Sequence, residues 1–351
     1  MGAHQDAVWA AMDYLITGGA GFIGSHLADA LIARGDRVLV LDDLSTGSRE
    51  NLSAALASGR AELVEGSVCD AELLDECMAQ ASACFHLASA VGVKLIVSRS
   101  VDSLSRSVRG AQVVAEAAHR SGVRLLFAST SEIYGKNGSS ALCEASDRLL
   151  GPPSVARWAY STAKAFGEAL VLGYHRERSS DTVVARLFNT VGPRQAAAYG
   201  MVLPRFVRQA LAGEDLTVYG DGSQSRCFCH VADTVTALIM LMDEEGARGD
   251  AFNVGRAEEI TIAALAELVI ERTGSTSGIR LVPYEVAYGE GFEELGRRRP
   301  DTTALRQMTG WRPTRGVGEA IDDLAVYERL RAEVRVAGEE DLGAAGPVVE
   351  T

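Results

Sequence analysis

The stretch "YLITGGAGFIGSH", residues 14–26, ends a short apolar run in glycines at 18, 21 and 24 and continues into a helix-like segment. A strand that turns into a helix through Gly18, Gly21 and Gly24 aims unpaired amide N–H groups, and the positive end of a helix dipole, at one spot where no side chain intervenes. A phosphate is the ligand such a turn suits; a tight strand-to-helix turn is the plain alternative. The next apolar run, "RVLVLDD", ends at Asp42, whose carboxylate can accept hydrogen bonds from an adenosine ribose diol and would repel a 2′-phosphate. Together the two features predict a dinucleotide site that prefers NAD to NADP.

Outward from this unit, β-rich runs recur as "AELVEG", "CFHLAS", "LLFAST" and, near 182–190, "TVVARLFNT". Helices are expected at about 22–34, 71–80, 102–121 and 157–178. Strands alternating with helices describe a parallel sheet covered on both faces, so the predicted class is α/β, a Rossmann-type doubly wound sheet over residues 12–190. After Gly192-Pro193-Arg194 the elements shorten. Helices at 201–212 and 231–244 and strands "LTVYG", "RCFCHV" and "AFNVG" predict a smaller α/β lobe over 191–335 that binds substrate. The apolar helix "VADTVTALIMLM" implies that about 228–256 packs back on the first lobe. Residues 336–351, acidic and rich in small residues, read as a disordered tail.

With 351 residues, 47% hydrophobic and 23% charged, the chain has ample material for a core. Its net charge of −13 argues against nucleic acid and anionic membranes as partners. An anionic ligand must instead be met by locally placed Arg and Lys. The six cysteines follow no metal-ligand or disulfide spacing, so no metal is expected and the thiols are read as reduced. No apolar run reaches the ~18 residues of a membrane span, and the first dozen residues lack a basic region followed by an apolar core. A cytoplasmic protein is expected.

"AYSTAK" sets Tyr160 and Lys164 four apart, on one face of a helix. An ammonium beside a phenol favours the phenolate, which would lower the Tyr160 pKa from about 10 and make it a general base near neutrality. Ahead of it, "FASTSEIYG" ends a strand in Ser129, Thr130, Ser131 and Glu132, a hydroxyl row and a carboxylate at the carboxyl end of the sheet, where ligands of such sheets sit. The plain alternatives are an incidental i, i+4 pair and strand capping. His86, after the fourth strand, is expected to be structural.

The glycine turn, "HLA", "STSE", "YSTAK", "FNTVGPR", "LTVYGDGSQSR" and "RRRPD", in this order over about residues 12–330, resemble the extended short-chain dehydrogenase/reductase family of nucleotide-sugar epimerases, dehydratases and decarboxylases. The resemblance implies that Tyr160 takes a proton from a sugar hydroxyl while hydride passes to NAD, that Lys164 holds the nicotinamide ribose, and that Thr130 hydrogen-bonds the reacting oxygen, with Ser131 and Glu132 beside them. It implies a cofactor surface drawn from Gly18, Gly21, Phe22, Ile23 and Gly24, then Asp42, Asp43, Leu44, Thr46 and Gly47. Ser67, Val68, Leu87, Ala88 and Ser129 complete that surface. Ser67 stands where the family usually has an Asp near the adenine, and Ser107 where an Asn is common.

For the substrate, the resemblance implies Val91, Gly92 and Lys94 after "HLA", Asn189 at a phosphate or sugar oxygen, Thr217 and Tyr219 near the base, Arg226 and Arg298 at the diphosphate or sugar, and Asp301. A diphosphate in an acidic protein independently requires convergent guanidinium groups. Family dimers are built on a four-helix bundle, so a homodimer through 102–121 and 157–178 is expected.

Two features point to different reactions. Ser131-Glu132 with Arg298 and Asn189 resemble UDP-glucuronate decarboxylases, in which the matching Glu and Arg lie at the hexuronate carboxylate. The loop "HLASAVGVKLIV" lacks a proline-rich stretch and is nearer that of UDP-glucuronate 4-epimerases. The leading expectation is a 4-epimerase that converts UDP-glucuronate to UDP-galacturonate through a 4-keto intermediate, with UDP-glucuronate decarboxylation as the runner-up. A UDP-glucose 4-epimerase and a catalytically silent NAD-binding sensor stand further back.

Overall fold

The computed structural model describes residues 12–89, 100–155, 157–196, 201–288 and 297–344. Strands β1 (Met12–Thr17), β2 (Val38–Asp42), β3 (Ala61–Glu65), β4 (Ala81–His86), β5 (Arg124–Thr130), β6 (Thr182–Leu187) and β7 (Ala251–Val254) form one seven-stranded sheet in the order β7-β6-β5-β4-β1-β2-β3. Every pairing in it is parallel. Strands of a parallel sheet are covered on both faces and read as continuous apolar runs; β2, "VLVLD", is buried at every position. The strand order reverses between β1 and β4. Thr17 there is level with Leu41 on one side and His86 on the other, and the crevice beyond these strand ends is where the topology admits a ligand.

The helices used below are α1 (Phe22–Arg34), α2 (Ala71–Met78), α3 (Ser100–Ser121), α4 (Arg157–Arg178), α5 (Val202–Ala212), α6 (Val231–Asp243), α7 (Ile262–Thr273), α8 (Thr303–Thr309) and α9 (Val317–Ala344). Side chains alternate between two cores. Ile16, Val40, Phe85 and Leu126 share one with α1 and α6, whereas Leu15, Leu39, Leu125 and Phe127 share the other with α2, α3 and α4. Helix α1 stops at Gly35, whose left-handed φ of 101° lets its N–H and that of Asp36 close on the carbonyls of Ile32 and Leu31. A third core gathers Leu203 and Phe206 of α5, Leu265 of α7 and Ile321 and Leu324 of α9. Helix α6 packs on α1, β5 and β6, and β7 joins the main sheet, so residues 231–254 belong structurally to the sheet.

Two local expectations change. "RCFCHV" is not one strand: Ser225–Cys227 pairs antiparallel with Glu259–Thr261, while Cys229–His230 pairs parallel with Thr190–Val191, and the break falls at Phe228. Residues 336–344, read as the start of a disordered tail, continue α9. A helix already anchored through buried Ala320, Ile321 and Leu324 adds each further turn without a new nucleation cost. Residues 345–351 lie outside the described residues. No helix among the described residues is long and apolar enough to cross a membrane.

His86 closes β4 inside the sheet. It is 2% exposed, and its Nδ1 shares a 2.7 Å hydrogen bond with Thr17 Oγ1. Burial, with Lys164 adding repulsion, pulls the ring down to about 3 from its ordinary 6.5. The folded chain therefore refuses a proton that the unfolded chain takes up below 6.5, and acidification from there to about 3 costs stability. Each pH unit of that window removes about 1.4 kcal/mol for the one proton. Urea denaturation between pH 6.5 and 4.5 should show this slope, and His86→Asn should flatten it by that amount; an unchanged slope would place the acid sensitivity elsewhere.

Candidate active site

The glycine turn is built by close approach. A Cβ on Gly24 would lie 2.3 Å from the Gly18 carbonyl oxygen, and one on Gly18, which sits at φ 74°, would lie 2.7 Å from the Ala88 nitrogen. Gly21 caps α1 with no side-chain hydrogen bond, leaving the first-turn amides facing a cavity of about 750 Å³ that Gly18, Gly21, Phe22, Ile23 and Gly24 line. Asp42 is buried beside them. Its Oδ2 accepts from the Ala20 amide and its Oδ1 from the Leu44 amide, both at 2.9 Å. Burial pushes this carboxyl upward while the two amides pull it back. Each oxygen keeps a further lone pair for a ligand in the cavity that Asp42 and Asp43 line.

Thr46, Ser67, Val68, Leu87 and Ala88 also line the cavity, and so does Ser107. Leu44 and Gly47 do not. Leu44, at φ 54°, packs on the α1 core, and a Cβ on Gly47 would lie 2.9 Å from the Ala20 backbone, so both shape the turn from behind. The Ser129 hydroxyl is buried in the cavity wall with no partner among the described residues. An orphaned hydroxyl, a side-chain-free turn under a helix N-terminus and a buried acid at the next strand end fit a bound dinucleotide.

At the carboxyl end of β5, Ser129, Thr130, Ser131 and Glu132 enter the same cavity as Tyr160 and Lys164. Thr130 Oγ1 accepts from the Glu132 amide at 3.2 Å, and Ser161 Oγ donates to the Glu132 carbonyl at 2.8 Å, which ties α4 to the strand end. Lys164 Nζ donates to the Ala128 carbonyl at 2.8 Å and stands 5.1 Å from the Phe127 ring centroid. Burial lowers its pKa to about 8, and Glu168 raises it against that trend.

The phenol behaves differently from the expectation drawn from the i, i+4 spacing. The Tyr160 pKa is raised, not lowered: burial is the main cause and the Glu132 carboxylate the next, while the Thr130 and Ser89 hydroxyls pull the other way. Shared helix phase brings Lys164 close in sequence, but its ammonium is directed at a carbonyl and an aromatic face. Without ligands the phenol is therefore protonated at neutral pH.

The cavity lining also includes Arg298, 7% exposed, from the chain segment before α8. Its Nη1 is ion-paired with Glu132 Oε1, and its Nη2 donates to Asn189 Oδ1 at 3.3 Å. Asn189 Nδ2 in turn donates to the Cys227 carbonyl at 3.0 Å. Arg298 Nε has no partner among the described residues. Tyr219 and Arg226 line the cavity, with the Arg205 guanidinium 4.0 Å from the Tyr219 ring centroid.

Two expected substrate residues lie outside the cavity lining. Thr217 turns back on α5, where its amide donates to Gln209 Oε1 and its hydroxyl accepts from Gln209 Nε2, each at 3.1 Å. Strand alternation would set Thr217 and Tyr219 on one face, and it is the Gln209 side chain of α5 that captures the former. Asp301 Oδ1 accepts from the Thr303 amide at 2.9 Å and so closes the first turn of α8, and these Thr303 bonds hold its carboxyl below the usual range. Val91, Gly92 and Lys94 lie outside the described residues. Sequence reasoning passed over Ser89, Arg106, Gln195, Arg205, Gln224 and Tyr284, which line the cavity. The rule that ligands meet strand ends could have found Ser89, one residue beyond Ala88; nothing local marks Tyr284.

A model of the NAD dependent epimerase/dehydratase family matches residues 14–255. The chain belongs to this family. NAD is its cofactor, and the fold is the Rossmann-type fold of the family. A UDP-N-acetyl-alpha-D-glucosaminuronate decarboxylase from Bacillus cytotoxicus is 41% identical over 300 residues, covering 85% of this chain and 92% of that one. UDP-glucuronic acid decarboxylase 2 from Arabidopsis thaliana is 36% identical over 299 residues, covering 85% of this chain and 64% of that one. Among solved structures, the UDP-glucose 4-epimerase from Thermotoga maritima with UDP-glucose superposes with a TM-score of 0.82 at 29% identity, covering 92% of this family member and 100% of that chain.

These relatives correct the leading expectation of 4-epimerisation. Similarity in sequence is greater to proteins named decarboxylases, and the epimerase superposes at lower identity. The loop that favoured epimerisation falls on residues 90–99, outside the described residues, whereas the Glu132, Arg298 and Asn189 cluster that favoured the runner-up is assembled in the cavity.

Proposed function

We propose that this family member is an NAD-dependent UDP-hexuronate decarboxylase, acting on UDP-glucuronate or its 2-acetamido analogue. The observation that carries this reading is the buried Arg298 guanidinium in the same cavity as Tyr160, a cation placed to meet a C6 carboxylate while the phenol meets the C4 hydroxyl. NAD, when bound, supplies the acceptor for the C4 hydride, a positive ring that favours the Tyr160 phenolate, and the returning hydride.

Tyr160 removes the C4–OH proton as the hydride leaves, and Thr130 hydrogen-bonds the C4 oxygen. The resulting ketone is β to the C6 carboxylate. The C5–C6 bond breaks, its electron pair moves to the C4 oxygen as an enolate, and carbon dioxide departs. A proton from water adds at C5 as the enolate returns to the ketone, and the returning hydride with the Tyr160 proton restores the C4 alcohol as a UDP-pentose. Glu132 has a defined part in this balance. A guanidinium alone would bind the carboxylate of the ground state and lose that interaction as carbon dioxide leaves, which slows the step. With Glu132 paired to it, Arg298 orients the carboxylate with much of its charge already spent.

We also propose a homodimer through α3 and α4, whose outer surface carries Phe166 at 43% exposure; sedimentation at micromolar concentration tests it. The reaction is tested by incubating the protein with NAD and, separately, UDP-glucuronate and UDP-N-acetylglucosaminuronate. Carbon dioxide and a UDP-pentose from either substrate are expected. A product that keeps C6, or no gas from both, overturns the proposal.

A further inference from the structure

One buried charge pair behind the cavity has no place in the reaction as described. Glu168 lies one turn beyond Lys164 on α4, as Lys164 lies one turn beyond Tyr160, so the three side chains follow one helix face. Glu168 is 5% exposed and Lys164 likewise 5%. From β6, Arg186 meets Glu168 with two donors: Nε is 3.1 Å from both carboxylate oxygens, and Nη2 is 2.8 Å from Oε2. The third guanidinium nitrogen, Nη1, donates to Tyr134 Oη at 2.9 Å and to the Glu144 carbonyl at 2.8 Å. Tyr134 Oη donates to Asn253 Oδ1 at 2.7 Å, and Asn253 is fully buried. Every nitrogen of Arg186 is therefore committed, and Glu168 has no freedom to swing.

We propose that Glu168, clamped by Arg186, is a positioning residue that keeps the Lys164 ammonium charged and fixed inside the protein. This rests on the reading of Lys164 as the ammonium at the reacting end of the cavity. A buried amine sheds its proton unless a counter-charge is buried with it. Around Lys164, the Ala128 carbonyl and the Phe127 ring offer only partial charges. The titratable groups around it are His86 from β4, Tyr160 and Glu168 on its own helix, Arg186 from β6 behind Glu168, and, in the same cavity, Glu132, whose charge is taken up by Arg298. His86 and Tyr160 are neutral near pH 7 for the reasons of burial given above, so Glu168 is the anion that acts on the ammonium before any ligand arrives. Arg186 serves to hold that anion, not to oppose Lys164 directly.

The chain has only three lysines, Lys94, Lys136 and Lys164, so Lys164 can be titrated without any substrate. In protein labelled with 13C-lysine, three Cε signals are expected, assigned with Lys94→Arg and Lys136→Arg. The wild-type Lys164 signal should titrate near pH 8. Glu168→Gln should lower that midpoint by about one pH unit or more. Glu168→Asp, which keeps the charge, should restore most of it. If Glu168→Gln leaves Arg186 uncompensated and the chain unfolds, the double variant Glu168→Gln/Arg186→Met removes both charges together, a change buried pairs tolerate, and should show the same fall. A wild-type midpoint near the ordinary value for lysine, below about pH 6, or unmoved in the folded Gln or double variant overturns the proposal. Because the readout needs no turnover, failure of the decarboxylase reading would leave this result standing.

Discussion

Tyr160→Phe should lower decarboxylation turnover by about 10²- to 10⁴-fold, the range that a positioned acid–base group contributes, while leaving NAD binding and thermal stability close to wild type. The phenol is buried, and the Phe variant keeps the ring's packing while losing only the hydroxyl's bonds to Thr130 and Ser89. Single-turnover absorbance should show the loss already in the formation of reduced cofactor, because the proton must leave the C4 hydroxyl as its hydride goes. Equal single-turnover rates in the two proteins would remove Tyr160 from the chemistry. The raised pKa also predicts that the ionisation controlling kcat lies lower in the ternary complex than in the ligand-free protein, since the phenolate gains favourable charge only when the site is filled.

Arg298→Met should lower kcat/KM for the uronate substrate by about 10²- to 10³-fold, the cost of truncating one partner of a buried charge pair. Binding of UDP-glucose, which has no C6 carboxylate, should change far less, and calorimetry on both ligands separates the two effects. Equal losses for both would assign Arg298 to the diphosphate instead. Glu132→Gln should act in the opposite sense on binding. It frees the Arg298 guanidinium, so the uronate KM falls, and kcat falls with it because ground-state attraction now opposes carbon dioxide loss.

Much of the fold was legible because it rests on short-range regularities. A strand buried on both faces announces itself as an apolar run such as "VLVLD", and the glycine turn is a local steric requirement, since Gly24 and the Gly18 carbonyl approach too closely for any side chain. Asp42 could be placed for the same reason, as the end of the strand next to that turn. Tyr160 and Lys164 were found as a pair because helix geometry sets residues four apart on one face. Local spacing also misled. It placed the ammonium beside the phenol, but not the carbonyl and ring that claim the ammonium, nor the Glu132 carboxylate that raises the phenol.

The strand-and-helix alternation, the dinucleotide turn and the acid–base pair can be read from the residues alone, because each depends on neighbours within a few positions. Packing is what brings Arg298 to Glu132 across 166 positions of chain, turns Thr217 from the cavity to Gln209, and joins Arg186 of β6 to Glu168 of α4. Contacts between distant segments, and the burial that sets the charge of a phenol or an ammonium, are properties of the whole packed chain, and no window of neighbouring residues encodes them.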